Sequence, residues 1–235
     1  MDIDLVIDLE LLTDTQAYHT LEENLEKMGF VNARNDRQQP QFWRWETRTE
    51  SGQPVTLDLL ADAPEIAGGR VQPLPTGGKI SALNIPHSSI VFDLFQEAEI
   101  RAELLSGSGI AVERIRHADI VSFTCLKAFA FDQRFEGKDA YDLIYCLEHA
   151  APGVDSVIKA FSRELKGKHS VVVQASLAIL RSRFTSDEIT EGYRKDGPVA
   201  VAKFELGEDP GDREARTLRQ REASDVCEQL LSGLR

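Results

Sequence analysis

Asp2-Ile3-Asp4-Leu5-Val6-Ile7-Asp8-Leu9 opens the chain with an acidic residue at 2, 4 and 8 and an apolar residue at 3, 5, 7 and 9. Side chains alternate across a strand, so this pattern predicts a strand with an acidic stripe on one face and an apolar stripe on the other. Thr13-Asp14-Thr15 then offers a helix N-cap. Tyr18, Leu21, Leu25 and Met28 follow at helical spacing, and Gly29 closes the element. Next come two apolar-alternating runs, 42–49 and 55–60, joined by Ser51-Gly52-Gln53-Pro54, which reads as a hairpin.

Further along, 63–80 is rich in Pro and Gly and reads as loop. Short extended pieces are expected around 80–85 and 109–116, with a helix over 92–105 between them. Helices are expected at 118–132, 137–149, 154–165, 171–184 and 213–234, with 205–212 as a connection. Strand, helix and hairpin first, then helices alone, predict an α+β fold: a mixed sheet with flanking helices and a helical C-terminal extension. The expected division is a domain over 1–150 and a helical region over 151–235.

Composition narrows the setting. The 42% hydrophobic and 28% charged residues suffice for a globular core. No apolar run reaches the length of a membrane span, and the acidic start lacks the basic-then-apolar order of a secretory signal. Cys125, Cys146 and Cys227 form no metal-ligand spacing and read as reduced thiols. A cytoplasmic protein without membrane attachment is expected. The net charge of −12 disfavours extensive nonspecific binding to nucleic acid, although local basic patches can still dock RNA. Lys159, Arg163, Lys166 and Lys168 read as a solvated face, and the five histidines share no ligand spacing.

Two constellations carry chemistry. Asp2 and Asp4 point the same way from one strand, and Asp58 stands on a later strand among Leu57, Leu59 and Leu60. A carboxylate in such surroundings needs a partner or a cation. Three of them converging would suit Mg²⁺, which prefers oxygen ligands. An Asp-x-Asp on a solvated strand face carries the same pattern without chemistry. The second constellation is Lys127, inside the apolar helix Phe123-Thr124-Cys125-Leu126-Lys127-Ala128-Phe129, followed by Arg134-Phe135-Glu136-Gly137-Lys138-Asp139-Ala140-Tyr141-Asp142-Leu143. Asp139 and Asp142 share a helix face, and Asp139 suits the helix start. Lys127 either snorkels to the surface or faces a phosphate.

Together these motifs resemble the AbiEii/AbiGii-type nucleotidyltransferase toxins of bacterial toxin–antitoxin systems, over roughly residues 1–150. The family's Asp-x-Asp strand is matched by Asp2-Ile3-Asp4-Leu5-Val6 and its third carboxylate by Asp58. Its helix lysine is matched by Lys127. Its Arg-x-x-x-Lys/Arg-Asp-x-x-Asp-Leu segment is matched by Arg134, Lys138, Asp139, Asp142 and Leu143. The resemblance implies a nucleotidyltransferase-like fold and a Mg²⁺-dependent transfer of a nucleotide from an NTP to a hydroxyl of an RNA, such as a tRNA, or of a protein. An antitoxin is the implied partner. It implies Asp2, Asp4 and Asp58 as metal ligands, and Asp58, Lys127, Asp139 and Asp142 as catalytic residues. Lys127, Arg134 and Lys138 are implied to contact the nucleotide. Family members carry a Gly-Gly or Gly-Ser phosphate-gripping loop shortly before the Asp-x-Asp. Met1 directly precedes the motif here, so an N-terminally incomplete domain is expected. Two functions stay open: the transferase itself, and a catalytically inactive nucleotide- or partner-binding protein of the same fold.

Overall fold

In a computed structural model of the 235-residue chain, residues 2–9, 15–74, 80–104 and 109–234 are described, with 15–19 described by their backbone alone. Thr13 and Asp14 of the expected N-cap, the side chains of Thr15 and Tyr18, and the Gly77-Gly78 pair lie outside what is described. The chain forms two compact units, residues 1–93 with 97–115, and residues 94–96 with 116–235. The division near 116, rather than 150, follows from helices over 120–148 that share a core with the later ones.

The first unit is built on a curled mixed sheet. Its strands are β1 (Asp2–Val6), β2 (Val31–Arg34), β3 (Pro40–Arg48), β4 (Pro54–Ala61), β5 (Val71–Pro73) and β6 (Ser81–Asn84). The order is β2-β3-β4-β6-β5, and β1 also pairs with β4. β1 and β6 run parallel to β4, while β3 runs antiparallel to it. β4 alternates strictly: Val55, Leu57, Leu59 and Ala61 are buried, while Thr56, Asp58 and Leu60 face the other way. Trp45, Phe30, Ile7 and Leu25 of helix α1 (Thr15–Lys27) complete the core on that apolar side. Gly29, at φ 78°, lets the chain leave α1, and its N–H closes on Glu26 O. The 63–69 stretch is held by one side chain. Buried Asn84 accepts from Ala63 N–H and donates to Ala63 O and Ile66 O.

The hairpin expected at 42–60 is present as β3 and β4, and short strands occupy 81–84 and 110–118 as expected. The helix expected over 92–105 is instead strand β7 (Phe95–Glu103), which pairs with β8 (Ile110–Ala118) in a two-stranded ribbon. Ala98, Ile100 and Ala102 alternate with Glu97, Glu99, Arg101 and Glu103, a period of two. Ala and Glu favour helix, but pairing with β8 prevails over that weak local preference. β2 and β5 were not expected; both are short and lack an extended apolar run.

The second unit is helical: α2 (Ile120–Arg134), α3 (Gly137–Glu148), α4 (Val154–Glu164), α5 (Ser170–Phe184), α6 (Asp196–Leu206) and α7 (Arg213–Gly233). Asp119 caps α2 by accepting from Val121 and Ser122 N–H. α6 was not expected. It opens on Gly197-Pro198, which reads as a break, yet Gly197 is essential to the fit, because a Cβ there would stand 2.5 Å from the Phe184 ring. Arg219 of α7 ties α3 and α6 together, bonding both oxygens of Glu148 and one of Glu205. All three cysteines are free, and Cys125 and Cys227 are fully buried. Burial pushes the Cys125 thiol up to about 12, against a smaller opposing effect of its hydrogen bond with Ser176. The α+β class and the helical C-terminal region thus match the expectation. Among the described residues no helix is long and apolar enough to cross a membrane.

Candidate functional site

β1 lies parallel to β4 with Asp2 opposite Thr56 and Asp4 opposite Asp58. Opposed residues share a face, so Asp2, Asp4 and Asp58 all belong to the sheet surface turned away from the apolar core. The grouping expected from the Asp-x-Asp pattern is therefore present at the level of register. What the sequence reading missed is Arg44. It stands opposite Asp58 across the β3–β4 hairpin. Its Nε donates to Oδ1 at 2.7 Å and its Nη2 to Oδ2 at 2.6 Å. That is a two-pronged guanidinium–carboxylate pair, the strong form of the interaction. Hydrogen bonding to Asp58 raises the Arg44 pKa further above its ordinary value. Its guanidinium also lies 4.6 Å from the centre of the Trp43 ring. The signal was available: once the turn sets Arg48 opposite Pro54, counting four residues back and forward brings Arg44 to Asp58.

This pair bears on the Mg²⁺ implied by the resemblance. The ion needs carboxylate oxygens turned toward it. Here the protein's own arginine holds both oxygens of Asp58. Among the described residues, no three His, Cys, Asp or Glu side chains are grouped to hold a metal. As placed, Arg44 is the partner of Asp58, and a cation there would compete with it.

The second constellation assembles inside the helical unit. α2 and α3 pack against each other across a two-residue link at 135–136, which brings the lysine of one helix against the acidic face of the other. Lys127 Nζ lies 2.8 Å from Asp142 Oδ2 and 3.3 Å from Asp139 Oδ1. Arg134 grips Asp139 with Nε at 2.6 Å and Nη2 at 2.8 Å. Lys138 reaches Asp142 Oδ2 at 3.4 Å, one helical turn away. All five residues singled out on these helices thus fall in one ion cluster.

Asp139 is its centre, 1% exposed. Burial pushes its carboxyl up, but the hydrogen bonds and charges of Arg134 and Lys127 outweigh this and hold it below the usual carboxylate range. An ionised carboxylate saturated by two cations is a poor proton acceptor. Lys127 is mostly covered, with Nζ 5.7 Å from the Phe123 ring centre. Arg134 and Lys138 remain more than half exposed. In the pairs given above, three cations meet two carboxylates, in a chain whose net charge is −12.

No family description, no curated protein and no solved structure matches the chain.

Proposed function

We propose that this is a nucleotide-binding protein on a nucleotidyltransferase-like plan, without transferase activity of its own, in which the exposed cations of the α2–α3 cluster receive the phosphates. The observation that carries this reading is the convergence of Lys127, Arg134 and Lys138 on Asp139 and Asp142. The buried carboxylate orients the cations, as a partner carboxylate orients any phosphate-binding guanidinium. Arg134 and Lys138 keep solvent-facing surface, where an anion gains charge-assisted hydrogen bonds. A binding role, rather than catalysis, is supported by the state of the carboxylates. Asp139 is saturated, and Asp58 is held by Arg44 at both oxygens.

A second reading is favoured by the register of Asp4 against Asp58. In it the protein is a Mg²⁺-dependent nucleotidyltransferase of a toxin–antitoxin system, acting on an RNA or protein hydroxyl, and Arg44 yields Asp58 when substrate arrives. A thermal-shift titration with each of the four NTPs, with and without Mg²⁺, separates the two. The first reading expects stabilisation without Mg²⁺ that weakens with salt, is lost in Lys138→Glu and survives in Asp58→Asn. A shift that requires Mg²⁺ and disappears in Asp58→Asn transfers the argument to the second. No shift with any NTP under either condition defeats both.

A further inference from the structure

The ribbon of β7 and β8 is exposed along most of its length. Ile100, Leu104, Ile110, Val112 and Ile115 are all between 42% and 57% exposed. A two-stranded ribbon without a covered face is marginal in water, and an open apolar edge is a template for another strand. Among the described residues, β7 pairs with no strand but β8. Leu104 N–H donates to Gly109 O, so by alternation the even-numbered residues of β7 spend their backbone groups on β8. The odd-numbered residues, Glu97, Glu99, Arg101 and Glu103, direct theirs to the open edge.

We infer that β7 is a self-pairing edge, and that the protein dimerises by antiparallel addition of β7 to β7 of a second copy, with the two-fold axis at Ile100. A two-fold axis normal to a sheet opposes residues of equal parity. On β7 all four charged residues are odd-numbered, so opposite charges can meet; on β8, Glu113 is odd while Arg114 and Arg116 are even, so they cannot. Centring at Ile100 sets Glu99 against Arg101 of the second copy twice. It also places Ile100 against its counterpart and Ala98 against Ala102, so the apolar stripe continues across both copies. This register pairs residues 97–103, nearly the whole strand. Centring at Ala102 also matches charges but leaves only 101–103 of the strand paired. Centring at Glu99 puts two glutamates face to face. The outer Glu97–Glu103 contact is like-charged, and Arg114, 3.9 Å from Glu97 within the ribbon, tempers it.

The test is sedimentation of the native chain at micromolar concentration, with far-ultraviolet circular dichroism to verify folding. A dimer is expected. Arg101→Glu and Glu99→Arg, each placing like charges opposite one another, should weaken it about tenfold, and the double variant Glu99→Arg/Arg101→Glu should restore it. Ile100→Cys should give a disulfide-linked dimer under mild oxidation, above the background of the three native cysteines, whereas Ala102→Cys should not. A native chain that stays monomeric, a double variant that stays as weak as the singles, or cross-linking through position 102 in place of 100 would overturn the inference.

Discussion

The sheet unit and the helical unit treat the same chemical pair, a carboxylate beside an arginine, in opposite ways. Asp58 sits on the open face of β4 with its side chain 14% exposed and Arg44 38% exposed beside it. Asp139 is enclosed between α2 and α3, its side chain 2% exposed, with Arg134 and Lys127 both on it. In the first case water shares the work of solvating the charge, so the pair can open at modest cost. In the second the cations are the only solvent the carboxylate has, and removing any member strands the others. Depth, rather than residue type, separates a carboxylate that water can still reach from one that only its cations stabilise.

Four substitutions test that contrast, beginning with the deepest. Asp139→Asn leaves Lys127 and Arg134 against a neutral group, and the loss should be about 3–5 kcal/mol in denaturant unfolding. Its pH dependence has a definite sign. The folded carboxyl is held below its unfolded value, so the unfolded chain takes up the proton first. The stabilisation is complete above the unfolded value, about 3.9, and is lost as pH falls through the lower folded value. The Asn variant should therefore show a flatter acid limb; an unchanged limb would mean that Asp139 is not the group responsible.

Leu59→Ala, on the fully buried side of β4, should cost about 2–5 kcal/mol through lost contacts and a cavity. It calibrates the sheet unit, showing that this unit depends on its apolar face. Gly197→Ala forces a methyl against the Phe184 ring, and about 1–3 kcal/mol of overpacking is expected. Asp58→Asn should cost least, about 1 kcal/mol or below, and less still at high salt. Should Asp58→Asn prove as damaging as Asp139→Asn, the contrast between the two regions fails.

Much of the fold was legible because its signals are local. The acidic-apolar alternation of 2–9, the Ser51–Pro54 turn and the five helices from 118 onward apart from α6 each declare themselves within a dozen residues. β7 misled because Glu and Ala speak for helix, while the partner that makes it a strand, β8, lies further along the chain. α6 was hidden because its fit depends on a missing side chain at Gly197, and absence of bulk reads as absence of structure. At the candidate site, the cluster on α2 and α3 was readable from Lys127 through Asp142, since a short link forces two consecutive helices together. The partner of Asp58 was not noticed, although the hairpin count leads to Arg44.

The sequence by itself determined which residues could carry charge or chemistry and on which element each stands, because periodicity and turn residues act over one or two turns of chain. Only the tertiary structure decided which of those charges meet, how deeply they lie and what each is left able to do. Pairing distance and burial are set by how separate elements pack, which the pattern of any one element does not record. Asp58 and Asp139 are the same residue type, and the arginine that reaches each, together with the water that does or does not, gives them different work.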